Sequence, residues 1–536
     1  MLMLKFSEFN KTGDIALDVY NALEYCKSHN EDGLIFDNKT TYDVYKEKSA
    51  EAFVSVSNHR GPRIGRVLFL LDGFKDFVLN GGGCHFVFND IMFPIIARNS
   101  ENLKIQNFES SSAVTMNFQA EVTESGSDWF NFKPITSLDV YTVEDRLYVQ
   151  NKSEDQTPLF FFVERDKNTK QLVPNAGDCF FGFPEHHISF KKLSGGQFSA
   201  RNVKRKIPVG NTLVFSSRNR AVANIFIDKC VNTEINNVTL YSGMGMGVIA
   251  QNSDTITIDR FSTCLSGDRA YSINCDATHF VHCKGEIVVR NSLFEGQLDD
   301  ALNIHSVYMQ IVDKTEKSLL LKYMHPQAIG LDIINVGGEI EISDASTLIP
   351  YKTFSIKSVK KINSEYTEVF VDDSVNDVVV GDVANEISYT AKLLFEKNIV
   401  QKNRARGLLL GSAGKTIIRN NLFKTSGSAI KLESDGKMWF ESGGTRDILI
   451  SENTFYNCCY CSGWGTEVIE TQEREKTEKN KFFHGKIEIS DNTFENCPVS
   501  PAAINNVKEL IFKNNKFINC ESNEIKTMHC KRVEKS

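Results

Sequence analysis

One short motif recurs along this chain and limits the folds that it can adopt. A few β-branched residues are followed by an Asn, and a Phe comes one to three positions after that Asn. Strong copies end at Phe294, Phe423, Phe455, Phe494 and Phe517, and weaker copies lie at 103–108, 233–240 and 255–261. The last four phenylalanines are separated by 32, 39 and 23 residues. Short β-rich units bury an apolar face only by stacking on one another. A repeat whose shortest spacing is 23 residues therefore predicts a solenoid of β-coils.

The predicted fold class is all-β, built on a right-handed parallel β-helix, because crossovers between parallel strands are right-handed. The N-terminal segment predicts a helix that covers the first coil. Asp14 is a candidate N-cap, and the apolar residues that follow it share one helical face: Ile15, Val19, Leu23 and Cys26. Such a helix hides the unpaired edge that an open solenoid would otherwise expose.

Two stretches of about 85 residues each, 112–199 and 307–390, lack the motif but contain alternating or continuous apolar strands. Each is long enough for a small β-barrel or sandwich inserted into a coil. The chain is therefore predicted to divide into an N-terminal cap with the first coils, an inserted β-domain, coils with the acidic residues, a second inserted β-domain and C-terminal coils. The corresponding ranges are 1–111, 112–199, 200–306, 307–390 and 391–536.

Composition narrows the choice of partners. With 41% hydrophobic and 24% charged residues the chain is typical of a soluble folded protein, and a net charge of −7 argues against a nucleic-acid partner. No window of about 18 apolar residues predicts a membrane span. The thirteen cysteines form no CxxC pair and the start lacks a signal-peptide pattern, which slightly favours a reducing, cytoplasmic setting. A signal removed earlier would leave a secreted or periplasmic location open, and a homo-oligomer is equally open.

Carboxylates recur at the coil spacing. Asp276 and Asp299 are 23 residues apart, which equals the shortest coil and predicts that they stack on one outer face. By strand alternation the Asp300 side chain should point into the core, so it joins the other two acids only if the chain bends at that residue. Repulsion among three acids in one patch should raise the pKa of at least one of them. A protonated acid beside an ionised one is the arrangement that glycoside hydrolysis uses. A solvated turn and a calcium site are the alternatives that spacing alone leaves open.

Several other side chains are candidates for binding a sugar. Trp439 and Glu441 lie in a polar loop bounded by glycines, where a Trp can offer a flat apolar face to a sugar ring. The remaining candidates are polar residues on the outer parity of the same strands, and arginines that can donate to hydroxyls: Asn274, Asn303, His305, Arg269, Arg404 and Arg406. His279 and His282 are interpreted as structural, and no cofactor is indicated.

Six segments together resemble a known family: 243–251 (GMGMGVIAQ), 276–280 (DATHF), 283–285 (CKG), 299–305 (DDALNIH), 404–407 (RARG) and 439–443 (WFESG). The family is that of the exo-acting α-1,3-galactosidases of glycoside hydrolase family 110, which remove terminal galactose from blood-group B and linear α-1,3-galactose structures. The resemblance implies inversion, no metal, a β-helix with inserted β-barrels, and catalytic acids at Asp276, Asp299 and Asp300. The chain departs from the pattern at Ser306, where the family usually has Gly, and at Glu109, where Asp is expected. Neither departure removes a catalytic group, but the resemblance then does not determine the fine substrate preference.

Crowding by its two neighbours, and analogy with polygalacturonases, make Asp299 the expected general acid, with Asp276 and Asp300 as the base pair. Two other functions stay open. A polygalacturonase-like or other β-helix α-glycosidase would share the acids, although the Gly-His-Gly and Arg-Ile-Lys elements of polygalacturonases are absent after Asp300. A non-catalytic glycan-binding β-helix would tolerate neutralisation of the acids.

Overall fold

A computed structural model describes residues 3–136, 138–150, 157–181, 187–461, 463–472, 477–478 and 480–536. Its main body is a stack of coils with three faces of parallel strands. Face 1 contains Arg63–Asp72, Phe93–Arg98, Ile225–Asp228, Val248–Gln251, Thr278–Val281, Leu302–Val307, Leu408–Leu410, Ile430–Leu432 and Ile469–Thr471. Face 2 contains Gly33–Ile35, Val78–Phe88, Glu101–Ser112, Val231–Leu240, Asp254–Thr263, Lys284–Arg290, Ala391–Glu396, Lys415–Arg419, Asp447–Ser451, His484–Ser490, Ala502–Lys513 and Lys526–Lys535. Face 3 contains Leu293–Glu295, Ile399–Gln401, Leu422–Lys424, Thr454–Tyr456, Thr493–Glu495 and Lys516–Ile518.

Short elements complete the two ends and the edges of the stack. The strands are Leu4–Lys5, Thr41–Val44, Ala50–Val54 and Glu441–Ser442, and the 3-10 helix Phe6–Glu8 lies at the N-terminal end. Two further 3-10 helices, Ser194–Gly196 and Pro326–Ala328, lie in the inserted domains. The helix Ile15–His29 begins where expected, because the Asp14 side chain accepts hydrogen bonds from Ala16 N and Leu17 N at 3.1 and 3.2 Å. Its apolar face packs into the core of the first coils. The all-β fold class, the parallel β-helix and the N-terminal capping helix are confirmed.

The recurring motif forms two ladders inside the coils. The side-chain oxygen of each ladder Asn accepts a hydrogen bond from the backbone N–H of the Asn one coil earlier, as from Asn421 N to Asn453 Oδ1 (3.0 Å) and from Asn453 N to Asn492 Oδ1 (3.0 Å). The phenylalanines stack with centroid distances such as 5.3 Å for Phe423 and Phe455. Each ladder Asn follows a residue with a left-handed backbone, for example Asn420 with φ 57°. The motif therefore shapes the turn and fills the core, and it has no catalytic role.

Replacing Asn453 by Ala is expected to destabilise the fold by roughly 1–3 kcal/mol or more, because the buried N–H of Asn421 loses its acceptor. The same change at the exposed Asn168 is the matched control and should have little effect. Chemical denaturation compares the free energies of unfolding. Equal stability of the two variants would contradict the role of the ladder.

Two β-domains interrupt the coils. The first pairs a seven-stranded sheet with a three-stranded one, and phenylalanines of the larger sheet pack against Leu147 and Val149 of the smaller. The larger sheet contains Asn117–Ser125, Trp129–Ile135, Phe161–Arg165, Asp178–Phe180, Ser189–Lys192, Phe198–Arg201 and Thr212–Ser216. The smaller contains Asp139–Val143, Arg146–Gln150 and Thr157–Pro158. The second domain is a closed barrel of Met309–Lys314, Ser318–Lys322, Glu339–Ser343, Pro350–Lys361, Tyr366–Val371 and Val383–Glu386.

The first inserted domain includes a strand that the sequence-based division assigns to the coils. Thr212–Ser216 pairs with Asn117–Ser125 and Phe161–Arg165, so it belongs to the seven-stranded sheet although it lies within 200–306. Its short apolar run looks like a coil strand, and only the pairing distinguishes the two. The other division points stay a prediction. In the described part of the chain no helix combines the length and apolarity that a bilayer crossing requires.

Candidate active site

The three acids lie where the chain enters face 1 of two successive coils. Thr278 pairs with Leu302 and Ala277 N donates to Asp300 O at 2.9 Å, so Asp276 stands in register with Asp300. The expectation that Asp276 stacks on Asp299 is therefore corrected by one residue. The chain bends at residues 298 and 299, directly before Asp300, and Asp300 lies in the cluster although its parity alone predicts an inward direction.

The acids form one cluster, in which a side-chain oxygen from each lies within 4.8 Å of the others. Asp300 accepts three hydrogen bonds from Arg406: from its backbone N at 2.9 Å, from Nε at 3.0 Å and from Nη2 at 2.9 Å. Asp276 accepts a bond from Asp300 N at 3.3 Å and contacts His279 Nδ1 at 2.6 Å. Asp299 accepts a bond from Arg220 Nη2 at 3.3 Å. Both oxygens of Asp276 and Asp300 are thus engaged.

Burial dominates the ionisation of the two inner acids. It raises the pKa of Asp276 to about 8, and the Asp299 carboxylate adds to the effect. Burial likewise raises the pKa of Asp300 to about 8, against the opposing effect of the Arg406 guanidinium. Two adjacent buried carboxyls share their protons unequally. Because Arg406 directs three N–H groups at Asp300, we place the negative charge on Asp300 and the proton on Asp276.

The acids line a pocket of about 140 Å³. Its walls come from distant parts of the chain, including the first coils, the segment after the first insertion and two C-terminal loops. The lining residues are Asn58, Arg220, Asp276, His279, Asp299, Asp300, Asn303, Arg406, Leu409, Glu433, Ser434, Asp435, Trp439, Glu441 and Trp464. The three acids are therefore surrounded on several sides by the coils and by these loops.

Four of the sequence-predicted binding residues line the pocket. Asn303 directs its amide nitrogen to Glu441 at 3.5 Å, and its buried oxygen has no partner within the described residues. Arg406 orders Asp300, as described above. Trp439 is about one-third exposed and packs beside His325 of the second insertion, with ring centroids 4.6 Å apart.

The other four predicted binding residues lie outside the pocket wall. His305 is buried behind it and contacts His279, Nε2 to Nε2, at 2.9 Å. The Arg404 Nε atom donates to Asp178 of the first insertion at 2.9 Å. Arg269 stacks over Tyr271 with 4.7 Å to the ring centroid. The Asn274 amide donates to Asn219 O and thereby ties two segments of backbone together.

Other pocket residues were not found from the sequence. Trp464 follows Gly463 and precedes Gly465, the same signal of a Trp in a glycine-bounded loop that identified Trp439. It packs under Arg406, whose guanidinium carbon lies 5.2 Å from the ring centroid. Arg220, Asn58 and the Glu433–Ser434–Asp435 run carry no comparable signal, because long-range folding brings them to the site. His279 lies in the wall and not merely in the core.

Comparison with known proteins places these features in a family. The model of GLAA-B beta-barrel domain II matches residues 318–383, within the six-stranded barrel. An α-1,3-galactosidase B of Phocaeicola vulgatus is 31% identical over 88% of this chain and 83% of that protein. An α-1,3-galactosidase A of Shewanella woodyi is 28% identical over 95% of this chain and 84% of that protein.

Among solved structures, a family 28 exopolygalacturonase of Yersinia enterocolitica is similar over 99% of this chain and 78% of that chain, with 10% identity and a TM-score of 0.38. The sequence relationship is far closer. Since it extends over nearly the whole chain and most of the first relative, the chain belongs to the α-1,3-galactosidase family.

Proposed function

We propose that this protein is an exo-acting glycoside hydrolase that releases terminal α-1,3-linked galactose from oligosaccharides or glycoconjugates. The observation that carries the proposal is the cluster of Asp276, Asp299 and Asp300 within one walled pocket. Paired acids with different ionisation are what glycoside hydrolysis requires. The relatives named α-1,3-galactosidase supply the sugar and the linkage.

The shape of the pocket supports exo-action. Loops carrying Trp439 and Trp464 wall the cavity, so a sugar at the end of a chain fits better than one in its middle. An aromatic face packs against the apolar side of a hexose, and the unpartnered Asn303 oxygen offers an acceptor to a hydroxyl. Linear α-1,3-galactose and the branched blood-group B structure are both candidate substrates.

We assign Asp299 as general acid, with Asp276 and Asp300 holding the attacking water. Asp276 and Asp300 have both oxygens engaged, which fixes them for holding a small molecule and hinders bond formation to an anomeric carbon. Asp299 has fewer restraints than the other two acids of the pocket, so its side chain can reach the oxygen of the leaving group. This arrangement supports inversion.

The short distance between the acids is the observation that supports a second candidate mechanism. Inverting enzymes usually separate the two carboxyls by about 6.5–9.5 Å and retaining ones by about 5–5.5 Å. Here the closest oxygens of all three acids lie within 4.8 Å. Retention, with one of the acids as nucleophile, is therefore the second candidate mechanism, and the first product anomer distinguishes the two.

A metal-independent reaction is part of the proposal. Three carboxylates could hold a hard cation, but Arg406 and Arg220 already place positive charge against Asp300 and Asp299. The proton on Asp276 lowers the negative charge of the cluster further. The arginines thus take the place that a cation would fill.

Incubation with galactosyl-α-1,3-galactose is expected to release galactose, with the β-anomer appearing first in the NMR spectrum. Chelator should leave the rate unchanged. The branched fucosylated trisaccharide measures substrate preference, and polygalacturonate tests the uronidase alternative. No galactose from either galactoside would contradict the proposed function. The α-anomer first would replace inversion by retention, and loss with chelator would show a required metal.

A further inference from the structure

A chain of hydrogen-bonded side chains leads from Asp276 away from the pocket. The Asp276 Oδ2 atom lies 2.6 Å from His279 Nδ1, and His279 Nε2 lies 2.9 Å from His305 Nε2. The other His305 nitrogen, Nδ1, lies 2.6 Å from the carbonyl oxygen of Ser306. Both imidazoles are buried, and the strand pairing of His279 with Asn303 holds them on adjacent coils.

Hydrogen-bond chemistry determines where the protons lie. A carbonyl oxygen only accepts, so His305 Nδ1 carries a hydrogen. Two Nε2 atoms at 2.9 Å need one proton between them. If His279 supplies that proton, its Nδ1 is an acceptor and Asp276 must be protonated. If His305 supplies it, His305 is a cation, His279 donates from Nδ1, and Asp276 is an anion. The two arrangements contain the same number of protons.

A second cavity begins where this chain ends. It has a volume of about 170 Å³ and lies between the coils and the six-stranded barrel. His305 lines this cavity but not the active-site pocket, whereas His279 lines the pocket but not this cavity. The two imidazoles thus connect two separate spaces.

We propose that His279 and His305 relay a proton from Asp276 to the second cavity, so that Asp276 can serve as a base while substrate fills the pocket. The proposal rests on the hydrolase function proposed above. Asp276 is only 3% exposed, and a sugar in the pocket would cover the remaining path to solvent. Without another route for its proton, Asp276 would stay protonated and could not act as a base.

The step conserves atoms and charge. The Asp276 O–H bond breaks as an N–H bond forms at His279 Nδ1, and the His279 Nε2–H bond breaks as an N–H bond forms at His305 Nε2. The net change is one proton moved from Asp276 to His305, which becomes an imidazolium ion. The imidazolium ion then loses its Nδ1 proton to water in the second cavity, as the hydrogen bond from Nδ1 to the Ser306 carbonyl oxygen breaks, and His305 is left neutral with a hydrogen on Nε2. Asp276 is left as a carboxylate that accepts a proton from the attacking water.

The surroundings stabilise both ends of the relay. Glu441 Oε1 lies 3.4 Å from His305 Nε2 and favours the imidazolium ion. Burial, with the nearby His305, keeps the pKa of His279 well below its usual value, so His279 passes the proton on and does not hold it. Burial opposes ionisation of Glu441, yet His305 and the other nearby positive groups keep its pKa below the usual range.

Other charged or titratable groups also face the relay. On the pocket side these are Asp299, Arg220, Arg406 and His59, and on the side of the second cavity they are Glu341, Glu386, His282 and Arg446. His282 is a useful comparison, because it is equally buried but contacts Ser306 Oγ at 2.8 Å and Glu386 Oε2 at 3.2 Å. Among the described residues, the His282 side chain makes no hydrogen bond to the side chains of Asp276, His279 or His305.

The test compares His305→Gln with the matched control His282→Gln, using the full-length enzyme and galactosyl-α-1,3-galactose. Loss of the relay should lower kcat about 10- to 100-fold with KM within about twofold, as expected for a lost proton transfer. The acidic limb of the kcat profile should move upward by about one pH unit or more, because Asp276 must then lose its proton without help. His279→Asn should behave in the same way, and His282→Gln should keep the wild-type profile.

Unchanged kcat and pH profile in His305→Gln, a change in KM alone, or the same shift in His282→Gln would overturn the relay. A readout without turnover separates this failure from failure of the proposed function. Nitrogen-15 NMR of the wild-type histidine rings should show a coupling across the bond between the Nε2 atoms of His279 and His305. A wild-type enzyme that shows this coupling but releases no galactose contradicts the function and not the proton chain. Absence of the coupling overturns the relay even if a variant fails to fold.

Discussion

Replacing Asp299 by Asn is expected to reduce hydrolysis of galactosyl-α-1,3-galactose by roughly 10²–10⁴-fold, the usual contribution of a general acid. An aryl galactoside with a good leaving group needs little protonation, so the same variant should retain much more of its activity on that substrate. The physical basis is that Asp299 faces the pocket while Asp276 and Asp300 are fixed by their partners. Values of kcat/KM on the two substrates measure the difference.

Asp313→Asn, on an exposed part of the barrel, is the control for removing a carboxylate elsewhere. It should leave both rates unchanged. Equal loss on both substrates in the Asp299 variant, together with selective retention in an Asp276 or Asp300 variant, would reverse the roles but keep the site. Near-normal rates in all three variants would show that the site is wrong.

The parts of the structure that repeat locally could be predicted from the sequence. The Asn421 and Phe423 positions recur at each coil because the ladders need the same residue at the same turn, so periodicity alone indicates the β-helix. The carboxylates followed from the coil length, since adjacent coils bring residues one repeat apart together. The register was wrong by one residue because a bend before Ala301 lies outside any periodic pattern.

The parts that depend on long-range packing could not be predicted. Arg404 carries the right chemistry for a sugar, but Asp178 of the inserted sheet binds it, and no spacing within the coils indicates that partner. Arg220 reaches Asp299 because the first insertion ends beside the pocket. Outer parity indicates both Asn303, which lines the pocket, and Asn274, whose side-chain amide instead donates to a backbone oxygen. The alternation of a strand predicts the direction of a side chain, but it does not predict which groups that side chain contacts.

The residues of the pocket come from two kinds of segment. The coils supply the acids, in a register that the fold repeats, and the loops and insertions supply the arginines and aromatic walls. Arg406 belongs to both, because it begins a coil and also fixes Asp300. Changes in the loops can therefore alter substrate choice without moving the acids.

Asp276→Asn and Asp300→Asn are both expected to lose activity on the disaccharide and on the aryl galactoside, because water activation is needed whatever the leaving group. They should differ sharply in stability. Asn at 276 resembles the protonated acid: its amide can donate to His279 Nδ1 while its oxygen still accepts from Asp300 N. Asn at 300 instead leaves the half-buried Arg406 guanidinium without its closest anion, and breaking a buried ion pair typically costs about 3–5 kcal/mol.

The pH dependence of unfolding tests this distinction. Burial raises the pKa of Asp276 to about 8, so its contribution to stability is fully present below the ordinary pKa of 3.8 and is lost as the pH rises towards 8. Asp276→Asn removes that loss, since each pKa unit corresponds to about 1.4 kcal/mol. Its free energy of unfolding should therefore rise relative to wild type between pH 4 and 8, measured by denaturation with urea. A difference that stays constant or falls over this range would show that Asp276 is ionised in the folded protein, and Asp300 would then carry the proton.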